Sequence, residues 1–171
     1  MLTPPLSPRS PRALGFVGIT LLLLCAASPL AARAVENDPS FFLRSESQSL
    51  TFRRSDLLKR DDVTAIHVDQ DPAYDGKPHD YTHTVPLRAL FSGVSIPANS
   101  TLQFECQDGF SAPLSKERLL DSVGSTPYIA FEGPGETWPN GVANKNPRPF
   151  YLIWKDPEKS HIGTEEWPFS L

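Results

Sequence analysis

His79 and His83 stand four residues apart. On a helix that spacing sets two imidazoles on one face, as zinc sites require. Here the segment reads as loop running into strand, where the pair keeps one side but spreads further apart. Asp75 and Asp80 are the ligand types close by, and the reading is two solvated polar residues. Asp69, Asp71, Asp75 and Gly76 have the composition of a calcium loop. An EF-hand wants an oxygen ligand at its fifth position and glycine at its sixth, where this chain has Ala73 and Tyr74. A solvated acidic turn is expected instead. Cys106 ends an apolar stretch. A nucleophilic or metal-binding cysteine needs a base or a depressed pKa; nothing nearby in sequence supplies either, so burial as a small hydrophobe is the expectation. Asn99-Ser100-Thr101 matches a glycosylation acceptor.

The C-terminal third carries a different signal. Trp138, Phe150, Tyr151, Trp154, Trp167 and Phe169 crowd together, interleaved with Pro139, Pro147, Pro149, Pro157 and Pro168. Lys145 and Arg148 lie beside them. A rigid aromatic surface with two cations could hold a flat anion by stacking and charge. The competing reading, which we favour here, is that these rings fill the core.

These residues need elements to position them. Ser55 is placed to cap a short helix through Leu57, Leu58 and Lys59. Val63 to Val68 alternates as a strand, and Asp69 to Pro78 is dense in turn formers. Asp80 to Val85 is a second strand. Pro86 suits the first turn of a helix whose apolar face is Leu87, Leu90 and Phe91, ended by Gly93. Thr101 to Cys106 and Phe110 to Leu114 flank Asp108-Gly109, the strongest hairpin signal in the chain. Ser115 caps a further helix containing Leu119 and Leu120. Tyr128 to Glu132 and Phe150 to Trp154 are strands, separated by a long Gly/Pro/Asn loop at 133–149, a length typical of functional or disordered loops. Five or six strands with three short helices in mixed order predict an α+β domain with a mixed, mostly antiparallel sheet.

The 171 residues are 39% hydrophobic and 21% charged, an ordinary globular balance. Eighteen prolines argue against a helical bundle. Residues 1–34 read as a secretory signal peptide: Arg9 and Arg12, an apolar run from Ala13 to Ala27, Pro29, then Ala32-Arg33-Ala34 as the cleavage site. That run falls short of the roughly 20 residues a spanning helix needs, so no stable membrane insertion is expected after cleavage. The remainder, 35–171, has 13 Lys and Arg against 20 Asp and Glu, a net charge of −7, and one cysteine. An acidic chain without a basic patch is a poor partner for nucleic acid. Residues 35–49 read as a flexible leader and 50–171 as the folded domain, with periplasmic location expected.

Four segments together resemble an exported bacterial domain. They are Val85-Pro86-Leu87-Arg88-Ala89-Leu90, Phe104 to Leu114 with Asp108-Gly109-Phe110, Pro149-Phe150-Tyr151-Leu152-Ile153-Trp154, and Ile162 with Glu166-Trp167-Pro168-Phe169. The domain is the molybdopterin-dependent oxidoreductase-like module, distantly similar to the molybdopterin-binding domain of sulfite oxidase and often followed by a monohaem cytochrome c domain. The resemblance implies a reduced sulfite-oxidase-like fold over about residues 50–171. It implies Asp108, Lys145, Arg148 and Tyr151 as the residues lining a ligand pocket. That family holds molybdenum through a cysteine upstream of its Asp-Gly strand; here Cys106 lies inside the strand, which leaves it a weak metal-ligand candidate. No Cys-x-x-Cys-His is present for covalent haem. The expectation is a non-catalytic or degenerate module without a cofactor, working beside a c-type cytochrome or another periplasmic redox protein. The alternatives are a molybdopterin enzyme acting on a small oxo-substrate and a cofactor-free binder of a small ligand.

Overall fold

The computed structural model describes residues 38–44, 49–121 and 123–171. The expected signal peptide at 1–34 lies outside the described residues, as do 35–37 and 45–48 of the expected leader. Eight strands appear among the described residues, where five or six were expected.

Four of them make the central antiparallel sheet. β3 (Thr64–Asp71), β4 (Lys77–Pro86), β7 (Thr126–Phe131) and β8 (Phe150–Lys155) lie in that order. β3 alternates as its sequence predicts, with Ile66 and Val68 buried and His67 and Asp69 exposed. β8 is buried from Phe150 to Trp154, because both of its faces and its outer edge are covered. The edge is closed by the chain's own tail. Leu152 N–H donates to the Pro168 carbonyl at 2.9 Å, Leu171 N–H donates to the Phe150 carbonyl at 3.1 Å, and Tyr151 bridges Phe169. No helix among the described residues is long and apolar enough to cross a membrane.

Two hairpins flank the sheet. β5 (Thr101–Glu105) and β6 (Ser111–Ser115) pair around Asp108-Gly109, as expected. Gly109 takes φ +84°, a conformation that glycine adopts without strain, and the Asp108 carboxylate accepts the Phe110 N–H at 3.0 Å.

The second hairpin corrects the expectation that order begins near Leu50. β1 (Ser40–Arg44), inside the expected leader, pairs with β2 (Ser49–Arg53). The serines there obscured two adjacent aromatics, one of which is a core residue. Phe41 is buried, stacked on Phe52 at 5.1 Å and edge-on to Phe150 at 5.0 Å. The role assigned to Ser55 is corrected too. It sits inside α1 (Arg54–Leu57), and Asp38 takes both its N–H at 3.1 Å and its hydroxyl at 2.6 Å. The Ser55 hydroxyl bond is the main cause that holds the Asp38 carboxyl below its ordinary range.

α2 (Leu87–Leu90) follows Pro86 with Leu87 and Leu90 buried, matching the sequence reading. After β6 the Ser115 hydroxyl accepts the Arg118 N–H at 3.1 Å and opens a wide π-helical turn, Glu117–Asp121. Arg118 then ties this turn to the C-terminal segment. Its Nε and Nη2 donate to the two Glu166 carboxylate oxygens at 2.6 and 2.9 Å. Its Nη1 and Nη2 also donate to the Ser160 and His161 carbonyls at 2.7 and 2.9 Å. The pair is under one-third exposed, so solvent screens it incompletely. Arg118→Ala should lower the unfolding free energy by about 2–3 kcal/mol in urea titration. Arg118→Lys should recover little of it, because an ammonium cannot reproduce the planar fork.

Candidate functional site

Asp71 closes β3 with no solvent exposure. Its side chain turns back to accept the Ala73 N–H at 2.9 Å, capping the short 3-10 turn Pro72–Tyr74. Two tyrosines reach it from other strands. Tyr81 of β4 donates its hydroxyl at 2.5 Å, and Tyr151 of β8 donates at 2.9 Å. Burial pushes the Asp71 carboxyl above its ordinary range, against the pull of these three donors. Burial also pushes both phenols well up. The acidic turn expected to be solvated thus has its middle carboxylate in the core.

Aromatic rings enclose this group. Tyr74 stacks on His79 at 4.2 Å, His79 lies 4.6 Å from Tyr81, and Trp138 meets Tyr81 edge-on at 5.2 Å. Burial holds the His79 imidazole below its usual range. His79 and His83 are therefore packed rather than solvated. Among the described residues no group of three or more His, Cys, Asp and Glu is arranged to hold a metal ion.

A second polar cluster pins the long loop. Glu136 Oε2 accepts the Gly133 N–H at 2.8 Å and the Thr82 hydroxyl at 2.9 Å, and lies 3.2 Å from His83 Nδ1. Its Oε1 accepts Trp138 Nε1–H at 3.1 Å. The neighbouring Glu132 accepts the Trp138 N–H at 2.7 Å. A Cβ at Gly133 would stand 2.3 Å from the His83 ring, so any larger residue there must push that imidazole aside. Burial pushes the Glu136 carboxyl up, yet the donors around it together outweigh burial and hold it below its ordinary 4.5. Such a carboxylate adds stability above its unfolded pKa and loses it as pH falls through the folded one. Glu136→Gln should therefore be less stable by about 1–2 kcal/mol near neutrality. Its deficit should shrink when urea midpoints are compared below pH 4.5.

The residues predicted for a ligand pocket divide among three settings. Tyr151 is fully buried against Asp71. Asp108 occupies the β5–β6 turn, and Lys145 stands 5.7 Å over the Phe169 ring; both exert charge on Cys106. Arg148 binds Asn146 through Nε at 2.6 Å and sits 3.9 Å from Glu132. The aromatic surface proposed for a flat ligand is likewise interior, because Trp138, Phe150, Tyr151, Trp154 and Trp167 are all buried. The 133–149 loop packs down through Trp138 instead of standing free.

Burial, then the Asp108 charge, pushes the Cys106 thiol up to about 11. Every buried side-chain N and O among the described residues has a hydrogen-bond partner.

Two further carboxylates that face water share a sheet face. On the outer side of β3 and β4, His67 Nδ1 is 2.6 Å from Asp80 and its Nε2 3.3 Å from Asp69. The Asp80 bond leads the causes that raise the His67 imidazole above its usual range. Sequence reasoning missed the roles of Asp71, Glu132 and Glu136, whose partners lie on other strands or across the loop. No family model matches the chain, and no curated protein or solved structure matches it.

Proposed function

We propose that the chain is an exported, non-catalytic module that docks a basic electron carrier, such as a c-type cytochrome, on the outer face of β3 and β4. In this reading the α+β domain is a reduced sulfite-oxidase-like one that no longer holds a cofactor. The observation that carries it is the placement of Asp69 and Asp80, with side chains 94% and 82% exposed, on one sheet face. The net charge of −7 over residues 35–171 adds a long-range field of the same sign. Exposed carboxylates of this kind steer a cationic partner and give weak, fast, salt-sensitive binding. The working surface in this reading is the β3–β4 face.

The test is capture of a basic c-type cytochrome on the immobilised domain. Raising salt from about 20 to 200 mM should weaken binding at least about tenfold, as screening shortens the reach of each charge. Asp69→Lys with Asp80→Lys should abolish it. Salt-independent capture, or none at low salt, would falsify the reading.

A further inference from the structure

A cleft of about 700 Å³ opens beside α2, on a part of the molecule that the β3–β4 face does not use. Ala89 and Phe91 line it, with Val94, Ser95 and Ile96 beyond the positive-φ Gly93. Lys116, just past the end of β6, and Leu120, in the π-helical turn, line it too. Ligand pockets run from about 300 to 1,000 Å³ and combine apolar walls with a few placed polar groups.

Lys116 is the placed group. Its backbone N–H donates to the Ser100 carbonyl at 2.8 Å and its ammonium to the Ile96 carbonyl at 3.0 Å. The side chain is thereby fixed across the cleft rather than waving in solvent. An ammonium has three donors, and the Ile96 bond uses one of them. Some cations in this chain are matched to carboxylates, as Arg60 is to Asp62, Arg118 to Glu166 and Lys159 to Asp156. Lys116 has no carboxylate within ion-pair distance among the described residues. A fixed, half-buried ammonium with two remaining donors beside apolar walls is a complementary surface for a negative head on an apolar body. Arg88 lines the same cleft and bonds the Leu120 carbonyl, and the inference does not depend on it.

We propose that this cleft binds an amphipathic organic carboxylate, its apolar body on Phe91, Val94 and Leu120 and its carboxylate on the Lys116 ammonium. The site is independent of the cytochrome reading. The probe is decanoate below its micelle concentration, with decylamine as the charge-reversed control, followed by amide NMR shifts on the full domain. Saturable shifts confined to residues 87–96 and 116–120 are expected with decanoate and absent with decylamine. Lys116→Met should weaken decanoate at least about tenfold, the loss of one charge-assisted bond. Lys116→Arg should retain most of the binding. Equal shifts from the amine and the carboxylate, shifts scattered over the surface, or undiminished decanoate binding by Lys116→Met would each overturn the assignment. The amine comparison uses the parent chain, so it decides the matter even if Lys116→Met unfolds.

Discussion

Asp71→Ala should lower the unfolding free energy by about 3–5 kcal/mol, the range expected when one member of a buried polar group is removed from its partners. The substitution strands three donors at once: the Tyr81 and Tyr151 hydroxyls and the Ala73 N–H. None of them can turn to water, because Asp71, Tyr81 and Tyr151 all have no solvent exposure. The pH dependence has an unusual sign. Burial raises the native carboxyl above its unfolded value of 3.8, so the folded state binds the proton more tightly. By linkage, this group makes stability fall as pH rises through the window that opens at 3.8, and the contribution levels off above the folded pKa. Asp71→Asn cannot titrate and should lose that slope while keeping more stability than Asp71→Ala. Urea titrations of the three proteins at several pH values measure both effects. A loss below about 1 kcal/mol for Asp71→Ala would mean that water reaches the site.

Trp154→Ala is the second large change, at about 3–5 kcal/mol for a fully buried indole. Two losses add. The cavity forfeits the packing of the largest fully buried side chain among the described residues, and the Glu166 carbonyl loses the indole N–H that reaches it at 2.7 Å. Trp154→Phe separates them, since it restores much of the volume but not the bond, and should recover more than half of the deficit. Glu166 is also the residue that Arg118 grips by its carboxylate. The two anchors both hold Glu166, the last residue of the 3-10 turn Thr164–Glu166. A double-mutant cycle of Trp154→Phe with Arg118→Ala should then show coupling of about 0.5 kcal/mol or more, where independent sites would add.

The parts of the fold legible in the sequence are those set by neighbours along the chain. Asp108-Gly109 specified its hairpin, Pro86 opened α2, and the alternation around Ile66 and Val68 marked β3. The favoured assignment of the C-terminal aromatics to the core also stands, because five consecutive apolar residues from Phe150 suit a strand covered on both sides. What the chain hides is set by distance. Asp71 looks like one more turn carboxylate until Tyr151, 80 residues away, is brought against it. Phe41 looks like part of a polar leader until Phe52 and Phe150 complete its environment. Glu136 carries no motif at all; its meaning comes from a strand residue, Thr82, and from an indole two positions on.

The closure of β8 by the tail has a consequence for colloidal behaviour. Phe150-Tyr151-Leu152-Ile153-Trp154 is an uncharged, β-favouring run of the kind that stacks into cross-β assemblies when its edge is open. Pro168 to Leu171 occupies that edge and acts as an intramolecular gatekeeper. Removal of Pro168 to Leu171 would leave the native sheet mostly intact while exposing a template for growth. Trimmed protein should form thioflavin-positive aggregates under conditions where intact protein stays dispersed.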